Sequence, residues 1–312
     1  MPKTCIIHEK LEHSPTQMAD ANAAIECVGW WKPGDWITSY GGSPPRGSGL
    51  YHVTRWDDSS GKDNHLVSLT NGPVIYGGGT DPSGNSELGD SGDQVGGESV
   101  LDFTNDASED GTGLSSFAMG CNPDVDADFS MGGADNGMVI VAVVQHFVQE
   151  DAVGWSYGDW QGIVAADRAP SHSGSGDDEW MYGLVNHGLN PDVNFVQQMS
   201  HGSLEAATTG TDVIDPNGWA VMGISCTGKD ASDYMSESTI KPNTNDTEDE
   251  SPSLSDWCGV GVGATMLYIP AAAMIGQSFR GRMVELAILK TSEPIATVEI
   301  TKLMNFFVGK YL

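Results

Sequence analysis

Four aspartates carry the first chemical suggestion in this chain. In NPDVDADFSMGGAD (122–135), Asp124, Asp126 and Asp128 alternate and Asp135 closes the run. Carboxylates at that spacing suit Ca2+, which gathers roughly six to eight oxygen ligands. The run departs from an EF-hand loop at two points: Phe129 stands where that loop needs glycine, and Asp135 replaces the bidentate glutamate. A solvated acidic loop is the competing reading, and Ca2+ is the one cofactor the sequence suggests. The second group is aromatic. In WSYGDW (155–160), Trp155, Tyr157 and Trp160 lie beside glycine and aspartate in a loop-like context. Ring faces stack on sugars while acids and amides bond hydroxyls, so these three are the candidate ligand-binding residues. WWKPGDW (30–36) has a similar composition. Trp30 and Trp56, however, read better as core tryptophans whose N–H groups find partners inside.

No catalytic set emerges. Glycoside hydrolysis needs two carboxylates roughly 5–10 Å apart. Glu285 stands alone in its apolar strand and reads as a structural carboxylate with backbone or arginine partners. Gln145 and His146 are adjacent on a strand, so they face opposite sides. No GxSxG, HExxH or phosphate-binding glycine loop is present. The expectation is a non-enzymatic protein.

The elements that would position these groups are short strands. MVIVAVVQHFV (138–148) is β-branched and apolar on both faces, which predicts a central strand covered on both sides. Further strands are expected in 23–36, ending at the Pro-Gly turn, and around 51–56, 65–69, 72–78 and 99–106. Others are expected near 160–166, 180–186, 193–200, 218–226 and 259–269. Residues 77–99 and the acidic stretch 227–256 read as exposed loops. Residues 1–21 read as an irregular N-terminal arm, a possible anchor, and 22–312 as one domain. In the closing stretch, residues 283–289 are apolar on both faces, so one face needs a cover besides the core. Ile300, Leu303 and Phe307 fall on one face of a following helix, which would supply that cover.

Composition bounds the function. The 312 residues hold 40 glycines and 15 prolines, which suits many turns in one large all-β domain. Acids outnumber bases 43 to 14, for a net charge of -29. Such a chain has few groups with which to neutralise phosphate, so neither nucleic acid nor an anionic membrane is expected as a partner. No apolar run is long enough for a membrane helix, and the N-terminus lacks the pattern of a secretory signal. The five cysteines match no zinc spacing and read as mostly free thiols, with a Cys226–Cys258 bridge left open.

Several blocks, taken in order, are also familiar. They are Trp30–Trp31, WDDSSGKDNHL (56–66), Gly72–Pro73, VLDF (100–103), MVIVAVV (138–144), WAVMGIS (219–225), and FRGRMVELAIL (279–289) with its helix ending GKYL. The chain resembles the concanavalin A-like lectin/glucanase superfamily in its laminin-G-like form. That family carries an early W-x-D-x-S-G-x-x-x-x-L, a late F-x-G-x-x-x-E-x-x-I, and a short helix ending in K-Y. The second serine of DDSSG and the long acidic insertions depart from the pattern. The resemblance implies an all-β fold: a two-sheet antiparallel jelly-roll sandwich with a short C-terminal helix, and a concave face of the kind that binds glycans. The paired-carboxylate motifs of the family's hydrolases are not matched here. Modules of this kind occur in phage and archaeal-virus structural proteins. The leading expectation is therefore a virion surface protein, a capsid decoration or tail appendage made in the host cytoplasm and released by lysis. Its expected partners are major capsid or tail proteins, a glycan, and further copies of itself as a homo-oligomer. The alternative is a secreted, extracellular carbohydrate-binding module or a polysaccharide-active lyase or hydrolase.

Overall fold

A computed structural model describes residues 14–40, 51–68, 74–76, 94–103, 119–120, 137–146, 160–167, 180–186, 195–201, 205–208, 218–227, 237–242, 248–250, 271–275, 281–292 and 297–312. Among them the order is α1 (Pro15–Ala21), β1 (Ile25–Tyr40), β2 (Tyr51–Asp58), β3 (Leu66–Ser68), β4 (Val74–Tyr76), β5 (Val100–Asp102) and β6 (Met119–Gly120). Next come β7 (Gly137–His146), β8 (Trp160–Asp167), β9 (Trp180–Asn186), β10 (Phe195–His201), β11 (Glu205–Thr208) and β12 (Trp219–Thr227). The chain closes with β13 (Glu237–Pro242), β14 (Glu248–Glu250), β15 (Ala271–Ile275), β16 (Gly281–Thr291) and the helix Thr297–Tyr311, here α2. The pairings described are antiparallel, and they join the strands in one curled path from β11 to β14. The class read from the sequence, all-β and antiparallel with a short C-terminal helix, is the one observed.

The centre is β16, flanked by β1, β5 and β7, with β12 beyond β7. Val139, Val141, Val143, Val221, Ala287 and Leu289 join Leu303, Met304, Phe307 and Tyr311 of α2 in one buried cluster. The opposite face of the same strands carries Met138, Ile140, Ala142, Val144, Leu286 and Ile288, and these are buried too. The strand expected to need cover on both sides has it. The helix spacing is also as expected: Leu303 and Phe307 are fully buried, while Asn305 and Lys310 face solvent.

Two tight approaches set this packing. A Cβ on Gly29 would lie 2.3 Å from the Trp31 ring, so only glycine lets that indole fold back over its own strand. Val95–Gly96–Gly97–Glu98 form a two-residue hairpin turn in which both glycines have positive φ, 57° and 82°. Gly96 rests against the last turn of α2, where a Cβ would come within 2.8 Å of the Lys310 carbonyl oxygen.

Several expectations are corrected. β1 does not end at the Pro-Gly pair. It runs through Lys32–Pro33–Gly34–Asp35 as a bulge and hands over from β16 to β2 there. A bulge tolerates proline because no ladder donor is needed at that point. Residues 15–21, read as part of an irregular arm, form α1. Ser14 and Gln17 make a reciprocal capping box and Met18 is buried in the α2 cluster. The acidic stretch 227–256 is not all loop, since β13 and β14 extend the sheet beyond β12. Val95, inside the expected loop 77–99, is buried. Residues 259–269 and Cys258 lie outside the described residues, and Cys27 is a free, buried thiol.

Candidate functional site

The best-defined polar centre is Glu285, a fully buried carboxylate in an apolar strand. A bulge in β16 aims it. Met283 pairs with Val144 and Glu285 with Val143, so Val284 is an extra residue, and Glu285 turns to the helix side. Three donors converge there. Trp30 Nε1 donates to Oε1 at 2.5 Å, Lys310 Nζ to Oε2 at 2.6 Å, and the Tyr311 hydroxyl donates to Oε2 as well. Trp30 stands opposite Ala287 on the same face and carries Lys32 Nζ over its ring at 4.7 Å. Burial, reinforced by the Glu285 carboxylate, pushes the Tyr311 phenol well above its ordinary range, so it remains a neutral donor. The expected arginine or backbone partners are therefore replaced by an indole, an ammonium and a phenol. With its lone pairs directed at the protein, this carboxylate ties β1, β16 and the end of α2 together.

A second knot orders the WDDSSGKDNH block. Asp58 Oδ1 accepts from the backbone N–H groups of Trp30 and Ser60 at 2.9 and 2.8 Å. Its Oδ2 accepts from the Ser60 hydroxyl and the Asn64 N–H at 2.6 and 3.1 Å. Asn64 Nδ2 then reaches the Val28 carbonyl at 2.7 Å, and Trp31 Nε1 reaches the Asn64 carbonyl at 3.0 Å. Trp56 is fully buried with Nε1 on the Lys32 carbonyl at 2.6 Å, as a core tryptophan should be. On the outer side, Asp57 pairs with Arg55 at 2.5 Å and lies 3.2 Å from His65 Nδ1.

One row beyond Glu285, the helix-side face carries a third polar set. Asp102 of β5 pairs in register with Arg282 of β16, Arg282 with Gln145 of β7, and Gln145 with Trp219 of β12. Arg282 Nε lies 3.5 Å from Asp102 Oδ2, and both groups are largely buried. Gln145 and Trp219 are half-buried, with Trp219 packed against the edge of the α2 cluster. Sequence reasoning set Gln145 aside and did not reach the other three. Only strand register brings together residues at 102, 145, 219 and 282.

The residues singled out beforehand fall mostly elsewhere. Trp155, Tyr157, Asp124, Asp126, Asp128 and Asp135 lie outside the described residues. Trp160 opens β8 in register with Val185. Among the described residues, no group of three or more His, Cys, Asp or Glu is arranged to hold a metal ion.

No protein-family model and no curated protein matches the chain. Solved structures do match in fold. A GH54 α-L-arabinofuranosidase soaked with a cyclic sulfate inhibitor aligns over 96% of this chain at TM-score 0.54 and 14% identity. A point mutant of such an enzyme, soaked with 4-nitrophenyl α-L-arabinofuranoside, aligns over the same share at TM-score 0.53 and 14% identity. The chain spans 66% of the length of each. A Trypanosoma rangeli sialidase mutant aligns at TM-score 0.37 and 10% identity, covering 95% of this chain and 36% of its own. These alignments establish that the chain shares an all-β fold found in carbohydrate-active enzymes.

Proposed function

We propose that this chain is a non-enzymatic, lectin-like surface protein of a virus particle, a capsid decoration or tail appendage. In this reading it is built on a concanavalin A-like jelly roll and contacts glycans or the host surface. The observation that carries the glycan half is the alignment of 96% of the chain on an arabinofuranosidase at TM-score 0.54. The hand-over of β1 from β16 to β2 at a bulge supports the jelly roll, because strands that change partner in this way make the corners of packed sheets. Glu285, saturated by Trp30, Lys310 and Tyr311, serves packing rather than acid–base chemistry. The virion half rests on the expectation that lectin-like modules of this kind occur in phage and archaeal-virus structural proteins. Its partners would be capsid or tail proteins and further copies of the chain.

Mass spectrometry of density-purified, nuclease-treated particles tests the location. Many intact copies of the 33.0 kDa chain on particles are expected. Absence from particles together with free protein in the medium overturns the virion reading.

A second reading, a secreted carbohydrate-binding module or polysaccharide-active enzyme, is favoured by the arabinofuranosidase alignment itself. A reducing-end assay on arabinan and alginate separates the two. New reducing ends, lost on heat denaturation, would establish turnover.

A further inference from the structure

We infer that His65 is a proton-operated latch on the turn between β2 and β3. The pairing of these two strands ends at Trp56–Leu66. Two residues further along β2, the N–H of Asp58 meets a side chain instead of a β3 carbonyl: it donates to His65 Nδ1 at 3.0 Å. A carbonyl would accept that bond at any pH. An imidazole nitrogen accepts it only while it carries no proton.

The same nitrogen has a second neighbour, since Asp57 Oδ1 lies 3.2 Å from His65 Nδ1. The two neighbours make opposite demands. A backbone N–H needs a lone pair on Nδ1, and a carboxylate needs a proton there. One ring nitrogen cannot satisfy both at once. The geometry therefore contains two states. In the first, Nδ1 is bare, the ring proton sits on Nε2, and the Asp58 bond closes the turn. In the second, both nitrogens are protonated, Nδ1 donates to Asp57, and the Asp58 N–H loses its acceptor.

The surroundings favour neither state outright. For the charged ring, Asp57 stands at Nδ1 and Asp63 Oδ1 lies 3.8 Å from Nε2. Against it, Arg55 Nε holds the same Asp57 oxygen at 2.5 Å. The Asp58 carboxylate is occupied by the N–H groups of Trp30, Ser60 and Asn64 and by the Ser60 hydroxyl. Lys62 pairs with Glu26 of β1, and Lys32 with Asp35, which also takes the Ser59 hydroxyl. β3 brings no charged side chain. The imidazole is half-buried, so a proton reaches it without unfolding. Imidazoles are the side chains that ordinarily change charge between about pH 5 and 8. Acidification then frees the turn from its β3 side, while the Asp58 carboxylate and the Ser59 N–H, which donates to the Trp30 carbonyl at 2.7 Å, keep it on β1.

NMR of the full chain, with histidine, aspartate and serine labelled with nitrogen-15, tests the latch. At about pH 8 we expect His65 to carry its proton on Nε2 with Nδ1 bare, and at about pH 5 to carry both. Over the same interval, protection of the Asp58 amide from solvent exchange should fall about tenfold, the worth of one hydrogen bond, while Ser59 keeps its own. His65→Asn places an amide oxygen near the position of Nδ1 and cannot titrate, so its Asp58 protection should be the same at both ends. Three results would each overturn the latch: a proton on Nδ1 already at the alkaline end, an Asp58 amide that keeps its protection as the ring charges, or an equal loss in His65→Asn. The first two are read on the wild type alone and do not depend on how the variant folds.

Discussion

Glu285 gathers three donors, and each can be removed separately. Glu285→Gln keeps the shape but weakens the hydrogen bonds to the carboxylate and takes the counter-charge from Lys310, whose side chain is partly open to water, which together should cost about 1–2 kcal/mol. Tyr311→Phe removes one hydrogen bond and should cost about 1–2 kcal/mol. Because both act on one carboxylate, the double variant should lose less than the sum. Guanidinium denaturation reads all three, and a Glu285→Gln midpoint equal to wild type would refute the role given to this knot. Cys27 offers a separate check. Burial, aided by the Asp58 carboxylate, raises its thiol from 9.0 to about 12. Folding thus favours the neutral thiol, and the neutral Tyr311 phenol likewise. Their stabilisation is intact below pH 9 and declines as pH rises from 9 towards 12, where the unfolded chain ionises first. Denaturation midpoints should fall across that window. Cys27 should also resist iodoacetamide at pH 8 until the chain unfolds.

At the scale of elements, α2 is held from above and below. The sheet supplies the apolar cluster, and the Val95–Glu98 turn presses on its last residues. Gly96→Ala would put an L residue at φ 57° and drive its Cβ to 2.8 Å from a backbone oxygen that no rotamer change can move. The conformational part alone costs about 1 kcal/mol, and the clash adds to it. A lowered melting temperature in Gly96→Ala, larger than in Gly97→Ala where nothing lies within 4 Å, is the expected result. The helix itself was legible because Leu303 and Phe307 keep a helical period, and β7 because MVIVAVV is apolar without a break. Other elements were hidden by their own chemistry. Lys32–Pro33–Gly34–Asp35 reads locally as a turn, and only the change of partner from β16 to β2 makes it a bulge. β13 and β14 carry Glu237, Glu248, Asp249 and Glu250 at the margin of the sheet, where no apolar alternation is required. Glu285 was visible as a lone acid among apolar neighbours. Its partner Trp30 is 255 positions away, and no local pattern predicts that pairing.

For the whole molecule the dominant fact is 43 acids against 14 bases. Self-repulsion of that size weakens the compact state until salt screens it. Going from 0.01 to 1 M NaCl shortens the screening length from about 30 to about 3 Å. The melting temperature should therefore climb steadily with salt in scanning calorimetry, and a flat profile would mean that the surface acids are already locally compensated. The Lys310–Glu285 pair is a single contact with a buried carboxylate, and its screening should not reverse that trend.

The place of β16 also dictates when the protein can come into being. Ile25 pairs with Thr291, and β7 and β5 lean on the same late strand. A ribosome has made more than 280 residues before the strand that joins them exists. Until then β1 and β7 are nascent apolar segments with open edges, a state that chaperones guard and aggregation exploits. The fold must therefore wait for β16, and then form slowly through long-range pairing.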